Sequence, residues 1–212
     1  TPNPPRLGSW RGGAGIEAEL GALLLVRGRS DEAMPKLRRA IEAAPQVALH
    51  HRILGRAYRT AEEYEGSLRE LRVAESLNPD SAEVQYELAL TLERMRDRGG
   101  TETTCSRQDV VEGLRRAAEL DPSSPIYHYA LGERLFKDGR SDGAQSALER
   151  AVELRPDVAP WHATLGDVYA ETGQHDLALE QYARALEAEP ERVAYLHRSA
   201  MSYRALDMDR EA

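Results

Sequence analysis

Residues 159–192 read APWHATLGDVYAETGQHDLALEQYARALEAEPER. Trp161, Leu165, Gly166 and Tyr169 recur at helical spacing, Gly173 interrupts them, and Ala178, Tyr182 and Ala185 resume the pattern up to Pro190. Residues three and four apart share one face of a helix. Glycine supplies a turn, and proline, which has no N–H, ends a helix. The stretch is therefore predicted to be two short amphipathic helices joined by a glycine turn.

The same signature runs outward along the chain. Prolines fall at Pro45, Pro79, Pro122, Pro156 and Pro190, with spacings of 34, 43, 34 and 34. Five residues before each stands Ala40, Ala74, Ala117, Ala151 or Ala185, and twelve before stands Ala33, Ser67, Val110, Ala144 or Ala178. Leu20, Leu54, Leu131 and Leu165, each followed by glycine, precede four of the prolines by 25 residues. A fixed period of this length marks stacked repeats. The leucine is assigned to the core. The glycine beside it and the small residues of the second helix let the two helices approach. Tyr58, Tyr169 and Tyr203 lie four residues past the leucine position and are predicted to share its face. Gly28, Gly139 and Gly173 are predicted to turn the chain.

Composition agrees. Apolar residues make up 41% of the 212, enough for a continuous core. Good helix formers dominate and β-branched residues are sparse. The net charge of −8 argues against a nucleic-acid-binding protein. Charge is uneven, however: residues 1–60 carry ten basic against five acidic residues, and 61–212 carry 18 against 31. The basic end is where an acidic partner would be drawn. No apolar run approaches the ~18 residues of a membrane span. Cys105 is alone, so no intrachain disulfide forms, which fits a reducing compartment such as the cytoplasm without fixing it.

The unit with Leu165-Gly166, Tyr169, Ala178, Tyr182, Ala185 and Pro190 resembles the tetratricopeptide repeat (TPR). The resemblance covers about residues 14–212. It implies an all-α fold, a right-handed superhelical solenoid of about five and a half stacked helix-turn-helix repeats. They divide as 14–47, 48–81, 82–124, 125–158, 159–192 and an incomplete 193–212. Residues 1–13, with three prolines and three glycines, read as a linker or disordered arm. Trp10 there is a linker residue or an anchor for the first helix. Thr1 at the start and a stop inside the sixth repeat lead us to expect that the natural protein continues.

Three departures stand out. Pro35 lies inside a second helix and is expected to cost a hydrogen bond and bend it. Ala89 replaces the glycine of the third repeat. That repeat also carries nine extra residues within Glu93–Gln108, predicted as a long helix-to-helix loop, either a tolerated insertion or a binding loop.

Little points to catalysis. Gly139-Arg140-Ser141-Asp142-Gly143 matches G-x-S-x-G, but a nucleophile elbow needs a strand before it. Ser141 and its equivalent Ser30 are predicted as helix N-caps instead. His51, His128 and His162 share one register in three repeats, too far apart to hold one metal ion. They are expected to pack between helices. No cofactor, metal site or catalytic set is predicted, and the chain is read as a non-enzyme.

The resemblance implies that the first helices line a concave groove. The i, i+4, i+7 positions there are Ala18, Ala22 and Leu25; Arg52, Arg56 and Arg59; Tyr86, Leu90 and Glu93; Tyr129, Glu133 and Phe136; Ala163, Asp167 and Ala170; and His197, Met201 and Arg204. Candidate ligand-binding residues are Arg52, Arg56, Arg59, Tyr86, Leu90, Tyr129, Glu133 and Phe136. Three arginines on one face repel slightly. Carboxylate or phosphate groups of a partner would offset that, and so would internal pairing with Glu83 or Glu87. Tyr86, Tyr129 and Phe136 would offer flat apolar area to a peptide. Some relatives hold a C-terminal carboxylate with Lys and Asn. Here Ala18 and Ala22 stand in the corresponding positions, so that clamp is missing. The function predicted is a non-catalytic scaffold that binds a peptide or partner protein in the groove, through acidic groups on the ligand. The alternatives are a regulatory or targeting domain of a larger enzyme, and a self-assembly module.

Overall fold

The computed structural model describes residues 13–98 and 106–211. Trp10, Cys105 and most of the 1–13 arm lie outside the described residues. The described residues form eleven α-helices and no strand: α1 (Gly13–Val26), α2 (Ser30–Ala43), α3 (Ala48–Thr60), α4 (Tyr64–Leu77), α5 (Ala82–Asp97), α6 (Arg107–Leu120), α7 (Pro125–Lys137), α8 (Ser141–Leu154), α9 (Ala159–Glu171), α10 (His175–Ala188) and α11 (Val193–Glu211). The chain packs as two compact units, Thr1–Gly113 and Leu114–Ala212, with the boundary inside α6.

The turn inside a helix pair follows from one left-handed residue. Gly28, Gly139 and Gly173 have φ of +72°, +71° and +76°. The N–H beyond each reaches back five residues: Arg29 to the Leu24 carbonyl, Arg140 to Leu135 and Gln174 to Tyr169. This Schellman geometry satisfies carbonyls that the helix end would otherwise orphan. In the second repeat the slot is held by Glu62, with φ +63° and the same closing bond from Glu63 to the Tyr58 carbonyl. The second helices end alike, with the cap N–H of Ala44, Asn78, Asp121, Arg155 and Glu189 returning to the alanine five residues before proline.

Packing explains the small residues. Ala33, Ser67, Val110, Ala144 and Ala178, and all five alanines before the prolines, are fully buried. A Cβ on Gly55 or Gly132 would lie 2.6 Å from Cγ of Leu71 or Leu148 on the paired helix, closer than carbon atoms pack. The third repeat reaches the same closeness by moving the glycine. Ala89 takes the first-helix slot, and Gly113 on α6 stands opposite it, where a Cβ would come 3.1 Å from that of Ala89.

Several expectations need correction. Leu20 is not core; it is exposed, because no described helix covers that side of α1. Tyr203 is exposed for the same reason on α11, whereas Tyr58 and Tyr169 are buried as predicted. Ser30 and Ser141 are not N-caps. Arg29 and Arg140 hold those positions without a side-chain cap, and the serines open the helices. Ser30 Oγ instead shares a 2.8 Å hydrogen bond with Thr60 Oγ1, and Ser141 Oγ donates to Glu171 Oε1 at 3.3 Å, in both cases a link to the end of the next repeat's first helix. The Gly139–Gly143 motif spans the turn after α7 and the first residues of α8, with helix rather than strand before it. Pro35 does lie inside helix α2, as expected. Part of the Glu93–Gln108 stretch is helix rather than loop: α5 runs on to Asp97, anchored by buried Met95, and α6 begins at Arg107.

Candidate functional site

The arginines of α3 lie on one stripe, as i, i+4, i+7 spacing requires, but they are not equivalent. Arg59 Nη2 donates to Glu87 Oε2 of α5 at 2.6 Å, and both groups are largely buried. Arg52 and Arg56 are half-buried, with no hydrogen-bond or ion-pair partner among the described residues. Arg52 also lines a pocket of about 170 Å³ with Ala48, Leu49, Asn78, Ser81, Glu83 and Val84. The pocket sits where the starts of α3 and α5 meet the turn after α4. Ser81 caps α5 by accepting from the Val84 N–H at 3.3 Å, and its hydroxyl donates to Glu83 at 2.8 Å. Tyr86 and Leu90 are half-buried one turn apart on α5, flanking Glu87. The N-terminal unit thus brings Arg52, Arg56, Arg59, Tyr86 and Leu90 onto two adjoining helices.

Tyr129, Glu133 and Phe136 lie together on α7 of the C-terminal unit. The Tyr129 ring stacks on Trp161 of α9, with centroids 5.0 Å apart and an interplanar angle of 14°. Its hydroxyl is 3.4 Å from Thr164 Oγ1. One face of that ring is therefore already covered, and burial pushes its pKa up. Glu133 pairs with Lys137 at 3.1 Å.

The shared-register histidines hold the backbone. Nε2 of His51, His128 and His162 lies 2.9, 3.0 and 3.0 Å from the carbonyl of the proline six residues earlier. His51 Nδ1 pairs with Glu70 at 2.8 Å, and His162 Nδ1 meets Gln181 Oε1 at the same distance.

Two polar arrangements were not predicted from the sequence. Asp167, on the groove stripe of α9, accepts from the Tyr182 hydroxyl at 2.9 Å and pairs with Arg198 of α11 at 2.9 Å. Burial raises its pKa, while Tyr182 and Arg198 hold the rise back. The signal was Tyr182 itself, standing where other second helices carry Leu37, Leu71, Leu114 and Leu148. The second is the Arg134–Asp138 pair, both partners buried. It is an i, i+4 pair whose burial no spacing reveals.

No helix among the described residues is long and apolar enough to cross a membrane. No curated protein sequence matches the chain. Solved structures do match. The chain is similar to the pilF protein of Pseudomonas aeruginosa, at a TM-score of 0.78 and 18% identity over 94% of this chain and 86% of that one. It is similar to TTC0263, a TPR protein of Thermus thermophilus, at 0.63 and 23% over 90% and 98%. It is also similar to YrrB, described as a TPR protein with an unusual peptide-binding site, at 0.67 and 21% over 87% and 90%. Identities this low speak for the fold alone. The family model for the tetratricopeptide repeat matches residues 18–82, 112–159 and 129–193, more than half of the chain. Helix pairs closed by a left-handed residue, buried alanines at one register and that match lead to one conclusion: the chain belongs to the tetratricopeptide repeat family.

Proposed function

We propose that the protein is a non-catalytic interaction scaffold, and that the α3–α5 face of its N-terminal unit receives an acidic segment of a partner protein. The family supports the first part, since TPR modules serve protein–protein contact. One observation carries the second: Arg59 is neutralised by Glu87, whereas Arg52 and Arg56 have no partner among the described residues. Two guanidinium groups one helical turn apart repel slightly when empty. They gain charge-assisted, forked hydrogen bonds when a carboxylate or phosphate arrives. Leu49, Leu90 and Tyr86 beside them offer apolar contact to the flanking side chains of such a segment.

The test is a peptide array of acidic sequences beside counterparts in which Asp and Glu become Asn and Gln. The acidic set should bind, weaken as salt rises, and be lost to an Arg52→Glu/Arg56→Glu protein. Equal binding of acids and amides would refute the arginine site.

A further inference from the structure

Helix α1, GAGIEAELGALLLV, carries apolar residues around its whole circumference and only two charges, Glu17 and Glu19. A helix of that composition belongs where both sides are covered. Only one side is. Ala18, Gly21 and Leu24 face α2 and the core, while Ile16, Leu20, Leu23 and Val26 are 61%, 38%, 49% and 79% exposed. The repeat register makes this unusual. The Ile16 position is buried His50, Val84, Tyr127, Trp161 or Tyr195 in the later first helices. The Leu20 position is buried Leu54, Leu88, Leu131 or Leu165, and the Leu23 position is buried Ala57, Thr91, Arg134, Val168 or Ser202. In those repeats a helix lies on this face, with α2 packed on α3, α4 on α5, α8 on α9 and α10 on α11. Ile16, Leu20 and Leu23 therefore form the surface of a helix seam, and exposed Val26 extends it by a position that is exposed in the second to fifth repeats as well.

Charge selects the occupant. Glu19 and Arg27 flank the apolar strip, both exposed and neither with a partner among the described residues. They stand four residues on either side of Leu23, and Leu20 and Val26 stand three on either side. A twofold axis through Leu23 therefore sets Leu23 on Leu23, Leu20 on Val26, and each Glu19 beside the other copy's Arg27. Such a surface is complementary to itself, as an isologous contact requires. We infer that the α1 face is a self-association surface, on which α1 of a second copy of this chain packs antiparallel. One helix strip is smaller than a standard stable interface, so the dimer is weak, with a dissociation constant on the order of 10–100 μM.

Sedimentation equilibrium of the full chain over roughly 5–500 μM tests it. Wild type should pass from monomer to dimer. Leu23→Glu, which puts like charges on the axis at an exposed position, should stay monomeric with unchanged helicity. Glu19→Arg and Arg27→Glu alone should each weaken the dimer roughly fivefold, and the double reversal should restore it. A chain that stays monomeric throughout overturns the inference. So does a dimer indifferent to Leu23→Glu, or a double reversal that does not rescue.

Discussion

Arg59 and Arg52 stand two turns apart on one helix and should answer mutation in opposite ways. Truncating Arg59 strands the Glu87 carboxylate, itself buried, without its cation. Arg59→Ala is expected to cost about 2–3 kcal/mol in urea unfolding, less than a fully buried pair because Arg59 keeps some solvent contact. Arg52→Ala should change stability by less than about 0.5 kcal/mol. Equal losses would mean that the arginines are alike. Glu62 offers a gain. It holds a left-handed φ of +63° that glycine takes in three other repeats. Glu62→Gly relieves that strain and gives up only an exposed contact with Arg98. The net should be about +0.5 kcal/mol or slightly more, read as a higher denaturation midpoint. His50 is nearly fully buried, and burial lowers its pKa from the ordinary 6.5. Below that value the unfolded chain takes up the proton more readily than the folded one. Stability from this group is therefore intact above pH 6.5 and falls as pH drops below it. His50→Gln, which keeps a donor and does not titrate, should flatten the acid side of the pH–stability profile. An unaltered slope would assign it to other groups.

Between elements, one carboxylate links the last three helices. Asp167 on α9 receives Tyr182 from α10 and Arg198 from α11. Tyr182 fits only because Gly166 leaves room for its ring, 2.5 Å from where a Cβ would stand. Tyr182→Phe keeps the ring and removes the donor. It is expected to cost about 1–2 kcal/mol, to raise the Asp167 pKa further, and to speed amide exchange in α11 ahead of α9. Uniform exchange across the three helices would show that Asp167 does not dock α11. Gly113 and Ala89 make a second pairing of this kind. The sequence shows an alanine where glycine recurs, and only the packed helices reveal that the glycine has moved to the partner.

At the scale of the molecule, the helix pairs were legible because their rules are local. Period, glycine turns, prolines and buried alanines all follow from spacing. What spacing could not supply was which faces find a neighbour. Leu20 and Leu54 occupy the same slot, yet one is exposed and the other buried, because coverage is decided by another element. Ser30 and Ser141 looked like caps because serine before an acidic helical turn usually is one; a hydrogen bond to a residue 30 positions away won instead. The arginine stripe was visible, and so was Glu87 as a partner. That Glu87 takes Arg59 and leaves Arg52 and Arg56 was a matter of side-chain reach across two helices.

The central claim is that those two arginines receive the partner's acids. Fluorescence anisotropy with the tightest acidic peptide from the array measures this directly. The affinity should fall at least about tenfold in Arg52→Glu/Arg56→Glu. It should hold in Glu133→Gln, which alters the position on α7 equivalent to Arg56 in the repeat register. A double reversal that binds the acidic peptide as tightly as wild type would contradict the account.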